Sequence, residues 1–327
     1  MLKNILVNIR AFFSKNISKE INGSKQRILE LESKIAWMDQ NRERASRNSF
    51  CYYSALQYFE QNEQEASLYS SEVEYLRQLG HFCNFPYPVA ASLPQCEAGL
   101  DHEAGMPYVV HEGKRLYFPS VYDVEDAIRQ YHHLVTTEMI LKKEDDEPAP
   151  HCYQSDKIHL NSDDCLFDIG SAEGLFALHY IEQVKHVVLV ECDPMWFDSL
   201  QRTFAPFRDK VDIVNKRVGV EDGESVVTMK TLMAEFTPSD AFVKMDIEGG
   251  EVPSLLASSA YLASYGERLK FSVATYHKQN DATQLKELFD RLGFYSEYSK
   301  GYMLFNDYDM PLPPYFRHGI VRAVNFA

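Results

Sequence analysis

The stretch CLFDIGSAEGLFALHYIEQVKHVVLVECDPMW, residues 165 to 196, decides the fold. An apolar run, Cys165 to Ile169, meets a glycine-bearing turn; a helical stretch follows, and a second apolar run, HVVLV, ends on an acid. Short apolar runs alternating with helices call for parallel strands covered on both faces. The alternation continues through PMWFDSLQRTF, KVDIVN, AFVKMDI, EVPSLLASSAYLA, LKFSVATYH and DATQLKELFDRLG, and closes on two extended runs, YMLFN and GIVRAVN. The pattern predicts an α/β fold with a doubly wound, mostly parallel sheet.

In such sheets ligands bind beyond the carboxyl ends of the strands. That singles out Asp168 to Gly174, Glu191 to Asp193, Asn215 to Gly219, Asp246 to Glu251, and Tyr276-His277. The first turn, Asp168-Ile169-Gly170-Ser171-Ala172-Glu173-Gly174, permits close backbone approach at its glycines. It does not suit a dinucleotide: Ala172 replaces the middle glycine of GxGxxG, and Asp168 and Glu173 would repel a pyrophosphate. No GK[ST] loop occurs either. Acids at this turn suit a phosphate-free, positively charged cofactor, and S-adenosylmethionine, with its sulfonium and ammonium, is that cofactor. Glu191 ends the second strand, where a carboxylate can accept both hydroxyls of a ribose. Asp193 is its rival, although Asp193-Pro194 has the form of a helix start.

These residues resemble the FkbM-type methyltransferases within the class I S-adenosylmethionine-dependent enzymes. The resemblance covers roughly residues 135 to 306 and rests on DIGSAEGLFAL (168 to 178), LVECDPMW (189 to 196), VKMDIEGGE (243 to 251) and TYH (275 to 277). PHCY (150 to 153) and GYMLF (301 to 305) stand in matching order. The resemblance implies a seven-stranded Rossmann-like sheet and an O-methyltransferase acting on a hydroxyl of a sugar, glycan or other small metabolite. It implies that Asp168, Gly170, Ser171 and Gly174 line the cofactor turn, that Glu191 holds the ribose, and that Asn215 lies near the adenine. His151 and Tyr153 would complete the cofactor pocket. Met233 departs from the family, which often has Asp after Thr-Leu, and Ala172 departs within the turn.

Methyl transfer to a hydroxyl needs positioning and removal of a proton. Asp246, Glu248 and His277 follow strands that should be neighbours and are the candidate catalytic residues; His277 has the ordinary pKa of a base. Asp246, Glu248 and Glu251 could instead hold a divalent metal ion that lowers the acceptor's pKa. Both readings stand at this level. Two other classes remain open: an NAD-dependent oxidoreductase, disfavoured by the missing glycine, and a catalytically silent methyltransferase-fold scaffold.

The chain has 327 residues, 45% of them hydrophobic, enough for a sizeable core. Thirty-three Lys and Arg against 48 Asp and Glu give a net charge of -15, which argues against nucleic acid as a partner. Six cysteines without a CxxC pair form neither a disulfide framework nor a zinc signature. With Cys165 and Cys192 in apolar surroundings, they predict reduced thiols and a cytoplasmic protein. No apolar run suffices for a membrane span. Residues 1 to 100 are read as a helical N-terminal region, 101 to 150 as a connecting segment and 151 to 327 as the methyltransferase domain. The first 50 residues carry ten Lys/Arg and five Asp/Glu, with Leu2, Ile5, Leu6, Ile9, Phe12 and Phe13 at helical spacing. Ile28, Leu31, Ile35 and Met38 follow as a short seam. Peripheral membrane contact or self-association is expected of these helices.

Overall fold

A computed structural model describes residues 27, 35, 38–88, 95–143, 147–307 and 310–325. The chain forms two compact units, residues 1–50 and 51–327. In the first, residues 38–50 are helical, and Ile35, Met38 and Phe50 are exposed. The amphipathic start from Leu2 to Phe13, together with Ile28 and Leu31, lies outside the described residues.

The second unit opens with helices: α1 over residues 51–61, α2 (Glu63–Leu68) and α3 (Ser70–Leu79). Gly80 closes α3 in the left-handed conformation, its N–H donating to the Leu76 carbonyl. Where the sequence suggests only a connection, the chain builds a small antiparallel sheet of β1 (Ala98–Asp101), β2 (Met106–His111) and β3 (Lys114–Tyr117). Then α4 (Val124–His132) starts on a capping box between Asp123 and Asp126. Val109, Leu116 and Phe118 join the apolar cluster that contains Leu166 and Leu189, so this segment packs onto the main sheet. Strands this short, with charged flanks, leave little periodic signal.

The expected alternation then follows. It runs through β4 (Asp164–Ile169), α5 (Leu175–Tyr180), β5 (His186–Val190), α6 (Pro194–Phe204), β6 (Val211–Val214), and the short strands β7 (Arg217–Val218) and β8 (Val226–Val227). It continues with α7 (Met229–Phe236), β9 (Asp240–Met245), α8 (Glu251–Ala263), β10 (Arg268–Ala274), α9 (Asp281–Arg291), β11 (Tyr295–Tyr298), β12 (Met303–Leu304), β13 (Phe316–Arg317) and β14 (Ile320–Val324). The main sheet has the order β11-β14-β10-β9-β4-β5-β6. Only the pairs made by β14 are antiparallel. This is the doubly wound, mostly parallel seven-stranded sheet expected from the sequence.

Along β4, Leu166 packs on one face while Phe167 and Ile169 pack on the other, and β5 divides Val187 and Leu189 from Val188 and Val190. Burial on both faces is why these strands read as mostly apolar runs, with Asp168 the one polar residue inside β4. YMLFN does not supply a strand of the main sheet: β12 pairs with β13 outside it. The edge strand is β11, whose Tyr-Ser-Glu-Tyr is half-buried throughout and so carries no apolar run. Leu304 and Phe316 of β12 and β13 are buried with Cys51 and Phe59 of α1 and Leu76 of α3.

None of the six cysteines is in a disulfide. Cys165 is buried, but Cys192 is exposed, because it stands past the end of β5 where the chain has left the sheet. No helix among the described residues is long and apolar enough to cross a membrane. From β4 the chain steps outward to β6 and then returns to β9 on the other side of β4. That reversal opens a crevice at the carboxyl ends of β4 and β9.

Candidate active site

Past Ile169 the chain turns at Gly170, φ +72°, where an added Cβ would stand 1.8 Å from the Asp246 carbonyl oxygen. Only glycine lets the turns after β4 and β9 close on each other. Ala172 holds φ +45°, which costs a residue with a side chain roughly 1–2 kcal/mol. In that conformation its N–H donates to Glu191 Oε2 at 2.9 Å. Glu191 Oε1 accepts the N–H groups of Cys192 and Asp193 at 2.7 and 2.8 Å. The carboxylate thus ties two turns together while keeping lone-pair capacity on Oε2 for a ligand hydroxyl. Asp193 instead caps α6, accepting the Met195 N–H at 2.9 Å.

Two cavities meet here. One, of about 260 Å³, is lined by Glu191, Asp193, Lys216, Arg217 and Val218. The other, of about 280 Å³, is lined by His151, Tyr153, Asp168, Ser171, Glu173, Lys244 and His277, among others. Gly170, Ala172, Trp196, Asp246 and Glu248 border both. Asn215 is exposed and lines neither; its neighbours Lys216 to Val218 take that position. Gly174 also lines neither, and serves to let the start of α5 approach Leu200 and Phe204.

Asp168 sits opposite Lys244 in the β4–β9 register, with Oδ1 2.9 Å from Nζ. The ammonium also donates to the Gly170 carbonyl at 2.7 Å. Burial raises the Asp168 pKa against the pull of Lys244. Ser171 Oγ is buried and has no hydrogen-bond partner among the described residues, a state that a bound polar ligand would relieve. Glu173 is buried too, and burial lifts its pKa to about 7 despite its own backbone N–H and Lys244.

Asp246 is the centre of the second cavity. Its Oδ2 accepts from Tyr153 OH at 2.9 Å and Tyr276 OH at 3.0 Å, and lies 3.2 Å from His151 Nε2. Its Oδ1 lies 3.4 Å from His277 Nε2. The far nitrogens are braced as well: His151 Nδ1 is 3.0 Å from Glu138 Oε2, and His277 Nδ1 is 3.1 Å from Glu251 Oε1. Burial opposes charge on each of these groups, and hydrogen bonds and opposite charges overcome it. His151 is raised to about 9 by Asp246 and Glu138, His277 is raised by Glu251 and Asp246, and Asp246 is held far below the usual carboxylate range. His151 is therefore protonated at neutral pH, and His277 is biased the same way.

The acids proposed for a metal ion do not converge as one set. Glu248 is exposed, whereas Glu251 is fully buried, and its Oε1 also accepts the Ile247 N–H at 2.8 Å. Asp246, Glu251 and His277 do lie within 4.8 Å of one another. Both nitrogens of that histidine already face carboxylates, however, which suits an imidazolium better than a metal ligand. The sequence gives no role to Glu138 or Lys244, and it marks Glu173 and Tyr276 only by their place at strand ends, without their partners. Three of them stand inside the quoted motifs and could have been found there; Glu138 lies after α4 and carries no signal.

No family model and no curated protein matches the chain. Solved structures do. The methyltransferase FkbM from Methylobacillus flagellatus KT is similar at 17% identity and a TM-score of 0.41, over 60% of this chain and 52% of that one. The precorrin-6y C5,15-methyltransferase from Geobacter metallireducens GS-15 is similar at 15% identity, TM-score 0.34, over 52% and 85% of the two chains. An rRNA methylase from Streptococcus thermophilus follows at 12% identity, TM-score 0.31, over 51% and 88%. The match takes in about half the length of the FkbM structure. Scores this low leave the function to be decided by the site residues themselves.

Proposed function

We propose that the chain is an S-adenosylmethionine-dependent O-methyltransferase whose acceptor is a hydroxyl of a sugar or other small metabolite. The observation that carries this reading is the pair of joined cavities at the sheet reversal. One has Glu191 at a strand end, and the other is lined by acids and by the unpartnered Ser171 Oγ. Acids outnumber Lys and Arg across the two linings, where Lys216, Arg217 and Lys244 are the basic members, and this balance suits a cationic cofactor better than a phosphate. The cofactor supplies a methyl group already activated on a sulfonium. Glu191 would hold the ribose, Ser171 and Glu173 the polar end, and Asp168 with Lys244 would fix the turn between them. Asp246 holds His151, His277 and two tyrosine hydroxyls at the acceptor cavity, positioning the acceptor oxygen and excluding water from it, and Glu248, the exposed carboxylate that borders both cavities, would take the hydroxyl proton as the methyl group leaves the sulfonium. The net charge of -15 supports a small acceptor over RNA. A methyl-transfer screen against glycans, small hydroxyl metabolites and RNA tests the reading: transfer to RNA alone, or no cofactor binding, would sink it.

The ribose assignment has its own test. In Glu191→Gln the charge is lost and an amide N–H is turned toward one of the three backbone N–H groups that Glu191 now accepts. Hydrogen bonds to a charged group are worth about 1.5–3 kcal/mol, so calorimetry should show S-adenosylmethionine binding roughly 10- to 100-fold weaker, with some loss of stability. Asp193→Asn should change affinity less, since Asp193 caps a helix. A larger loss at Asp193 would overturn the assignment.

The N-terminal unit is assigned docking or self-association, supported by its basic charge and the exposed Ile35, Met38 and Phe50. Deletion has to stop at residue 50, because Cys51, Tyr52, Ala55 and Phe59 are core residues of the larger unit. Removing residues 1–50 should change oligomer size or vesicle binding and leave cofactor affinity intact. A folded truncation that no longer binds cofactor would contradict it.

A further inference from the structure

The β2–β3 hairpin turns through Glu112 and Gly113, at φ +49° and +78°, the two-residue turn that matches the twist of antiparallel strands. The turn leaves His111 buried at 5% exposure and Glu112 half-exposed. His179, near the end of α5, meets them. Its Nδ1 lies 3.0 Å from His111 Nε2 and 3.3 Å from Glu112 Oε2, and the latter two atoms are 4.0 Å apart. Ligand atoms at about 2.0–2.1 Å from a tetrahedral zinc stand roughly 3.3–3.4 Å from one another, within the span of these three separations. The other nitrogen of His111, Nδ1, is 3.0 Å from Tyr131 OH, the kind of outer hydrogen bond that fixes the tautomer of a metal-bound imidazole.

We propose that His111, Glu112 and His179 form a zinc site, with water as the fourth ligand, that clasps the β2–β3 hairpin to α5. Two imidazoles and a carboxylate with an accessible fourth position are a donor set that zinc takes. The carboxylate beside both rings, Glu112, is itself the third donor. At His277, by contrast, the two carboxylate neighbours favour a proton. Lys114 Nζ, 3.9 Å from Glu112 Oε2, competes for the carboxylate, but a single half-exposed ion pair is a weak competitor. None of the three residues lines the two cavities of the candidate active site, so the zinc site is separate from the proposed reaction.

The test is titration of the chelator-treated full-length chain with zinc, and with cobalt as a visible probe. One equivalent should bind with the absorption of tetrahedral cobalt, and zinc should raise the melting temperature. His179→Gln should abolish binding, Glu112→Gln should weaken it at least 10-fold, and Tyr131→Phe roughly 10-fold, as the loss of an outer-shell partner does. Glu112 and His179 are accessible enough to replace without unfolding the core. Absence of binding by the wild type, or one equivalent retained when both His179 and Glu112 are replaced, would overturn the proposal.

Discussion

Asp246→Asn is expected to lower methyl transfer at least about 100-fold and to destabilise the fold by roughly 3–5 kcal/mol, the usual consequence of removing one partner from a buried ionic network. The magnitude follows from how much converges on one carboxylate: two tyrosine hydroxyls on Oδ2, His151 beside it, and His277 on Oδ1. Asparagine presents one acceptor where two are used, and its amide N–H would face donors. His151 would lose one of the two anions that hold its pKa near 9. Single-turnover kinetics and denaturant unfolding measure the two effects separately. His277→Ala should also reduce turnover, yet its loss should not follow the deprotonation of a free histidine, because Glu251 and Asp246 on either side raise the pKa of this ring. Near-normal turnover in both variants would remove the cluster from the mechanism.

How much of this could be read beforehand depends on how local the determinants are. The central strands β4, β5, β9 and β10 were legible because burial on both faces forces mostly apolar runs, which the buried Asp168, Lys244, Lys270 and Ser272 interrupt only singly. The edge strand β11 was not, since a half-buried Tyr-Ser-Glu-Tyr satisfies no such rule. The turn residues Asp168, Gly170 and Glu191 were visible because strand ends are where chemistry collects. Their energetic roles were not: Lys244 was quoted in a motif, but its pairing with Asp168 depends on the register of β4 against β9. His277 was read as a base from its ordinary pKa. Its position between Asp246 and Glu251 changes that character, and only the folded neighbourhood shows it. Glu138 and the His111–Glu112–His179 group come together across long stretches of chain, beyond the reach of any spacing rule.

Glu173→Gln should make the protein more stable at pH 8 while weakening its hold on the cofactor. The Glu173 carboxyl has an unperturbed pKa of 4.5, raised by burial to about 7 in the folded chain. Between those values the folded state keeps a proton that the unfolded state has released, so this group makes stability fall as pH rises through that window. Above it the full penalty applies, about 3 kcal/mol from a shift of this size. Glutamine removes the penalty, so the variant should gain up to that amount at pH 8 and almost nothing at pH 4. His151 contributes differently: its pKa is raised from 6.5 to about 9, so its stabilisation is complete below 6.5 and is lost as pH rises through 9. The variant should therefore retain the decline from 6.5 to 9 and lose the one from 4.5 to 7. A buried acid kept at this penalty is explained if a cationic ligand meets it. Binding S-adenosylmethionine should then favour the carboxylate and release a proton near pH 7, seen as a buffer-dependent enthalpy, with affinity rising as pH increases through 7. Glu173→Gln should abolish the proton release and weaken binding roughly 10-fold or more, the worth of a charged hydrogen bond. Equal affinity and no proton release in the wild type would take Glu173 out of the cofactor site, and an unchanged stability at pH 8 would refute the raised pKa itself.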